Sequence, residues 1–165
     1  MIRRAAALFA LSAPFAVLNA HSLAAQGAQP FRIEETTIAD VHAAMQANRL
    51  TCHALVQAYL TRIDRFDKKG PAINAITVVN PRALAIADSL DKRFASTKRF
   101  VGPLHCIPMI VKDNFQTIGL QTAAGNIALK GYEPTKDAFE VKRIKEAGAI
   151  IIAKSNMAEF AFSPY

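Results

Sequence analysis

Apolar positions along the chain fall into three patterns. From Ala5 to Leu18 they are almost continuous, broken only by Ser12 and Pro14. Between residues 37 and 97 they recur every three or four positions, the spacing of helices with one buried face. At Ile107–Val111 and Ala149–Ala153 they form unbroken blocks of five, too short for helices and bounded by turn residues, as in buried strands. Thr37 followed by Asp40 approximates a capping box and opens a helix running to about Asn48. Thr51 caps a second helix, with Leu55, Val56, Tyr59, Leu60, Ile63 and Phe66 at helical period, which stops at Lys68-Lys69-Gly70-Pro71. The β-branched-rich stretch Ile73–Val79 predicts a short strand. Asn80-Pro81 then opens a helix with Leu84, Ala87, Leu90 and Phe94 facing inward.

The second half changes character. Ile107–Val111, with Pro108 near its start, predicts a buried strand that ends abruptly at Lys112-Asp113-Asn114. A polar loop follows to Asn126. Asp137 with Glu140 opens a helix bearing Phe139, Val141, Ile144 and Ala147 as its apolar positions, with Gly148 at its C-terminal end. Ala149–Ala153 is the next strand. Strand, helix and strand in this order predict a crossover unit, so the fold class is α/β with mainly parallel sheet covered by helices.

Composition narrows the function classes. Of the 165 residues, 52% are hydrophobic and 20% charged, which describes a globular chain and excludes a disordered one. The net charge of +7 suggests a nucleic-acid partner, but its distribution argues otherwise. Arg3 and Arg4 precede the Ala5–Leu18 run, and small residues follow at Ser22–Ala25. This is the order of a secretory signal peptide, expected over residues 1–25 and too short to span a bilayer stably. Cleavage after Ala25 lowers the charge by two and leaves residues 26–165, beginning with a linker to Glu35, for export to a periplasm or the cell exterior. The remaining bases, Lys92-Arg93, Lys98-Arg99, Lys142-Arg143 and Lys145, alternate with Asp88, Asp91, Glu140 and Glu146. Such mixing marks solvated helix faces, and no aromatics are interleaved to stack bases, so nucleic acid is not an expected partner. His21, His42, His53 and His105 are not at ligand spacing, and no metal site is expected. Cys52 and Cys106 are read as two small buried thiols, although an oxidising compartment would permit a disulfide.

Lys112 is the candidate for chemistry. It closes an apolar strand, and α/β folds build their sites at the C-terminal ends of strands. Partial withdrawal from water would lower its pKa and suit it to act as a base. Position alone favours an ordinary lysine that reaches out to solvent and pairs with Asp113 or another carboxylate.

The stretch Gly102-Pro103-Leu104-His105-Cys106-Ile107-Pro108-Met109-Ile110-Val111-Lys112-Asp113-Asn114 resembles the first conserved block of the amidase signature family. The resemblance continues through Thr122-Ala123-Ala124-Gly125, Asp137-Ala138 and Ala147–Ile151. It ends at Lys154-Ser155-Asn156-Met157-Ala158-Glu159-Phe160, similar to that family's Gly-Lys-Thr-Asn-Met-x-Glu-Phe stretch. The helical lead-in with Asn74-Ala75-Ile76 also fits. The resemblance implies a large mixed β-sheet between helical layers, of which residues 26–165 would form an incomplete N-terminal portion. It implies hydrolysis of carbon–nitrogen amide bonds by a Ser-Ser-Lys triad without metal or organic cofactor. In that scheme a lysine accepts a proton through a serine on a cis peptide bond and so activates a nucleophilic serine. Lys112 matches the lysine, while Asp113, Asn114 and Pro108 are read as structural.

Departures from the family pattern matter as well. Cys106 stands where glycine is frequent, and Ala153 where glycine commonly precedes the lysine of the last motif. The Gly/Ser-rich segment carrying both catalytic serines has no counterpart. After Ala25 the serines are Ser89, Ser96, Ser155 and Ser163, and none occupies a nucleophile's place in the motifs. The chain therefore reads as truncated before those serines, inactive alone, with a small amide as the whole protein's substrate. Two other readings stay open: the amidase subunit of a tRNA-dependent amidotransferase, and an exported remnant that kept the scaffold without catalysis.

Overall fold

The computed structural model of the chain describes residues 31–162, so the expected leader at 1–25 and the start of the linker lie outside the described residues. Helices α1 (Ile38–Gln46), α2 (Cys52–Arg62), α3 (Ala83–Thr97) and α4 (Phe139–Glu146) accompany strands β1 (Ile76–Val79), β2 (Pro108–Lys112) and β3 (Ile150–Ser155). The α1 capping box forms as read: Thr37 Oγ1 accepts from the Asp40 amide, and the Asp40 carboxylate accepts from the Thr37 amide, each at 3.1 Å. Thr51 Oγ1 likewise accepts from the Ala54 amide at 3.0 Å. A second acceptor at the start of α2 comes from another helix. Asp91 on α3 takes the amide hydrogens of Cys52 and His53 at 2.7 and 2.9 Å, placing negative charge where the α2 backbone leaves donors unpaired.

Several boundaries differ from the sequence reading. The first helix stops at Gln46 because Asn48 turns to φ +54°. The second widens after Arg62 into a π-helical turn, Ile63–Lys68. The strand begun at Ile73 pairs only from Ile76, because Asn74 is left-handed, at φ +55°. Asp137 does not start α4; its carboxylate accepts from the Ile118 amide and from Lys145 Nζ, both at 2.8 Å, and so ties the polar loop to the helix. Phe139 is 73% exposed, while Val141 carries the buried face of α4.

The sheet order is β1-β3-β2, with β3 in the centre. β2 and β3 are parallel and joined through α4, as the crossover pattern predicts, but β1 runs antiparallel to β3, so the sheet is mixed. Alternate residues of β3 serve two cores. Ile150 and Ile152 pack with Val41, Met45, Leu55, Val56, Ala83 and Ala87 of α1–α3. Ile151 packs with Val111, Leu120 and Val141 on the other face. Strict alternation would send Lys154 to the α1–α3 side. A bulge intervenes: Met109 pairs with Ile151 and Ile110 with Ala153, leaving Ile152 as the extra residue. Lys154 then pairs with Val111, and Lys112 with Ser155.

The two cysteines are buried but are not thiols. Cys52 and Cys106 form a disulfide, with Cα atoms 5.3 Å apart, joining the first residue of α2 to the segment entering β2. Their separation of 54 residues in sequence hides the contact. It is created when α2 docks on α3 and the Gly102–Cys106 turn folds back on Gly148, whose carbonyl accepts from the Cys106 amide at 2.9 Å. Gly148 is left-handed, at φ +98°, and a Cβ there would lie 2.8 Å from the His105 backbone, so this approach requires glycine.

Candidate active site

β2 delivers Lys112 to its last position, and two backbone bonds hold the turn that follows. The Phe115 amide donates to the Lys112 carbonyl at 3.0 Å, and the Asp113 amide donates to the Ser155 carbonyl at 3.1 Å. Lys112 and Ser155 are register partners on one face of the sheet, at the C-terminal ends of adjacent parallel strands. β2 is not the fully buried strand expected. Val111 is buried, but Ile110 is 46% exposed and Lys112 is exposed rather than partly withdrawn from water. The reason is topological: among the described residues β2 is an edge strand, and Ile110 lies outside the core that α1–α3 form on that face. Among the described residues, Lys112 Nζ takes part in no ion pair.

On the opposite face lies a second lysine, which the sequence reading placed within a motif but did not single out. Lys154 is fully buried. Its ammonium donates to the Phe115 carbonyl at 2.8 Å, to Thr122 Oγ1 at 2.9 Å and to the Gln121 carbonyl at 3.5 Å. Asp113 Oδ1 lies 3.6 Å away and has no hydrogen-bond partner of its own, while Oδ2 accepts from the Ala123 amide at 3.2 Å. Burial pushes the Lys154 pKa down, and Asp113 opposes that shift. With its donors directed at protein oxygens and no solvent access, Lys154 is a structural cation rather than a base open to substrate. One signal could have marked it: like Lys112, it immediately follows a five-residue apolar block.

The motif segments converge here. The Ala124 amide donates to the Asp113 carbonyl at 3.2 Å, and the Phe160 amide to the Ala124 carbonyl at 2.8 Å. Gly125, at φ +71°, passes so close to the 157–158 backbone that a Cβ would meet the Met157 carbonyl at 2.9 Å. Residues 112–114, 122–125 and 154–160 thus form one unit around the ends of β2 and β3. A cleft of about 340 Å³ lies elsewhere, lined by Asn80, Ile86, Leu90, Ile118 and Ile150 at the start of β3, and Lys112 is not part of it. Cys52, Asp91 and Cys106 bring potential ligand atoms within 4.8 Å of one another, but the two sulfurs are bonded to each other and Asp91 caps α2.

The family model for amidases matches residues 54–165. The chain belongs to the amidase family. Among curated amidase relatives, it is 37% identical over 130 residues to a glutamyl-tRNA(Gln) amidotransferase subunit of Halorhodospira halophila, covering 78% of this chain and 26% of that protein. It is 38% identical over 136 residues to mandelamide hydrolase of Pseudomonas putida, covering 82% of this chain and 26% of the relative. In fold it is similar to the peptide amidase of Stenotrophomonas maltophilia, with a TM-score of 0.74 and 42% identity over 79% of this chain and 26% of that one. The amidase chain therefore spans about a quarter of the length of these relatives, and the three-stranded sheet of its described residues is an incomplete α/β fold. Of its serines, Ser89 and Ser96 sit on α3, where Ser96 Oγ donates to the Arg93 carbonyl at 2.9 Å; Ser155 is the register partner of Lys112.

Proposed function

We propose that this chain is the base-bearing portion of an exported amidase that hydrolyses carbon–nitrogen bonds of small amides. Lys112, as the neutral amine, accepts a proton through one serine from a second. The resulting alkoxide attacks the amide carbonyl, the proton passes to the departing amine, and water releases the acyl group. Both serines come from polypeptide beyond this chain. The observation that carries the reading is Lys112 itself: it ends a parallel strand inside the converged amidase motifs, exposed and free of any carboxylate among the described residues. Exposed Ile110 on the same face supports a surface that further chain would cover, and covering it would desolvate Lys112 and favour its neutral form.

The experiment is hydrolysis of an amide panel by the longer polypeptide and by its Lys112→Ala variant. Wild-type turnover with an inactive variant is expected, and an unaffected rate refutes the role. The 165-residue chain alone is expected to be inactive; hydrolysis by it that Lys112→Ala abolishes would sink that expectation.

The reading as part of a tRNA-dependent amidotransferase has support in the similarity to the glutamyl-tRNA(Gln) amidotransferase of Halorhodospira halophila. The Cys52–Cys106 bridge favours the exported hydrolase, because disulfides persist mainly in oxidising compartments. Fractionation that finds the chain uncleaved in the cytosol would reverse this preference.

A further inference from the structure

Buried lysines need a reason, and Lys154 lies on the far face of the sheet from the proposed base. Its ammonium gathers oxygens from both ends of the loop that leaves Lys112: Asp113 and Phe115 where the loop departs, Gln121 and Thr122 where it returns. The Asp113 backbone is anchored to the Ser155 and Ala124 backbones, and its Oδ2 to the Ala123 amide. Val111, the register partner of Lys154, immediately precedes Lys112. Together these contacts close the loop into a ring around one cation. The backbone that carries Lys112 is thereby held from below, at a strand end whose outer edge has no partner strand among the described residues.

We propose that Lys154, acting through Asp113 and Thr122, is a positioning residue that sets the geometry of Lys112 for proton transfer. This rests on the reading of Lys112 as the base. Lys154 touches no reacting atom; it holds the turn that carries the base, and displacement of about 1 Å at a catalytic group can cost about 10²-fold in rate. Asp113 Oδ1 explains why the cation is needed: a buried carboxylate oxygen with no other partner is tolerated because Lys154 neutralises it.

The test uses the longer amidase polypeptide with an amide it turns over. Lys154→Met removes the cation at similar volume. Lys154→Met combined with Asp113→Asn removes both charges, keeps a side-chain acceptor for the Ala123 amide, and covers the case in which the single variant does not fold. Thr122→Val removes one oxygen from the ring.

For the folded double variant, kcat is expected to fall about 10²-fold with KM little changed. The acid limb of its kcat profile should move, because that limb reports the base in the bound complex. Thr122→Val should shift both in the same direction by less. A purely structural role would lower stability and leave kcat per folded molecule and its pH profile intact; that result, with Lys112→Ala inactive, overturns the positioning role alone. An active Lys112→Ala enzyme overturns the reading of the base, and the positioning role falls with it.

Discussion

Lys112 and Lys154 stand one register step apart on neighbouring strands, yet the fold treats them in opposite ways. Both follow a five-residue apolar block. Lys112 is exposed at the end of an edge strand, whereas Lys154 is fully buried at the end of the central one. The bulge at Ile152 makes the difference, because it turns Lys154 away from the α1–α3 side and into the ring formed by the loop. A lysine at the end of an apolar strand is therefore not by itself a candidate base. What distinguishes the two is whether its donors are already committed.

This contrast breaks first at Lys154. Replacing it with Met strands Asp113 as an uncompensated buried charge, and loss of one partner of a buried pair costs about 3–5 kcal/mol. Denaturant unfolding should show that loss, and adding Asp113→Asn should recover part of it. Additive losses from the two substitutions would mean that the pair is not coupled.

The disulfide comes next, acting on the other end of β2. Cys52→Ala/Cys106→Ala should cost about 2–4 kcal/mol in unfolding free energy. Cys106 is left-handed, at φ +63°, so Cys52→Ala/Cys106→Gly should lose about 1 kcal/mol less. Equal losses would place no strain at that residue.

His105 predicts a smaller change with pH. It is 1% exposed, and its Nδ1 faces the Val101 amide at 3.4 Å beside Phe94, Phe100 and His42. Burial lowers its pKa, with His42 and Arg93 reinforcing the shift and Asp91 opposing it. Below the unfolded value of about 6.5 the unfolded chain binds the proton more readily, so stability is full above that pH and falls on acidification. Thermal melts at decreasing pH should show a decline that His105→Gln reduces. A decline unchanged in that variant would assign it to other groups. The smallest effect belongs to Lys112→Ala in the 165-residue chain, where its exposed side chain should change stability by no more than about 0.5 kcal/mol.

The sequence made local features legible and hid those created by long-range contact. Thr37 with Asp40, Thr51 ahead of α2 and Gly148 behind α4 were readable because caps act within a few residues. β2 and β3 were readable as apolar blocks, and their crossover through α4 from the element order. The exposure of Lys112 was not, since it depends on which strand takes the sheet edge. The Cys52–Cys106 bridge needed α2, α3 and the Gly102–Cys106 turn together. The burial of Lys154 needed a bulge that leaves no trace in composition. The candidate base itself became legible through resemblance between motifs, because spacing alone left it an ordinary solvated lysine.

The contrast between the two lysines is decided most directly by turnover of one amide by the longer polypeptide and its Lys112→Ala variant, measured with the unfolding free energy of each. A fall in kcat of about 10⁴-fold or more in a variant that remains folded is the expected result. Full turnover by a folded Lys112→Ala enzyme would contradict it.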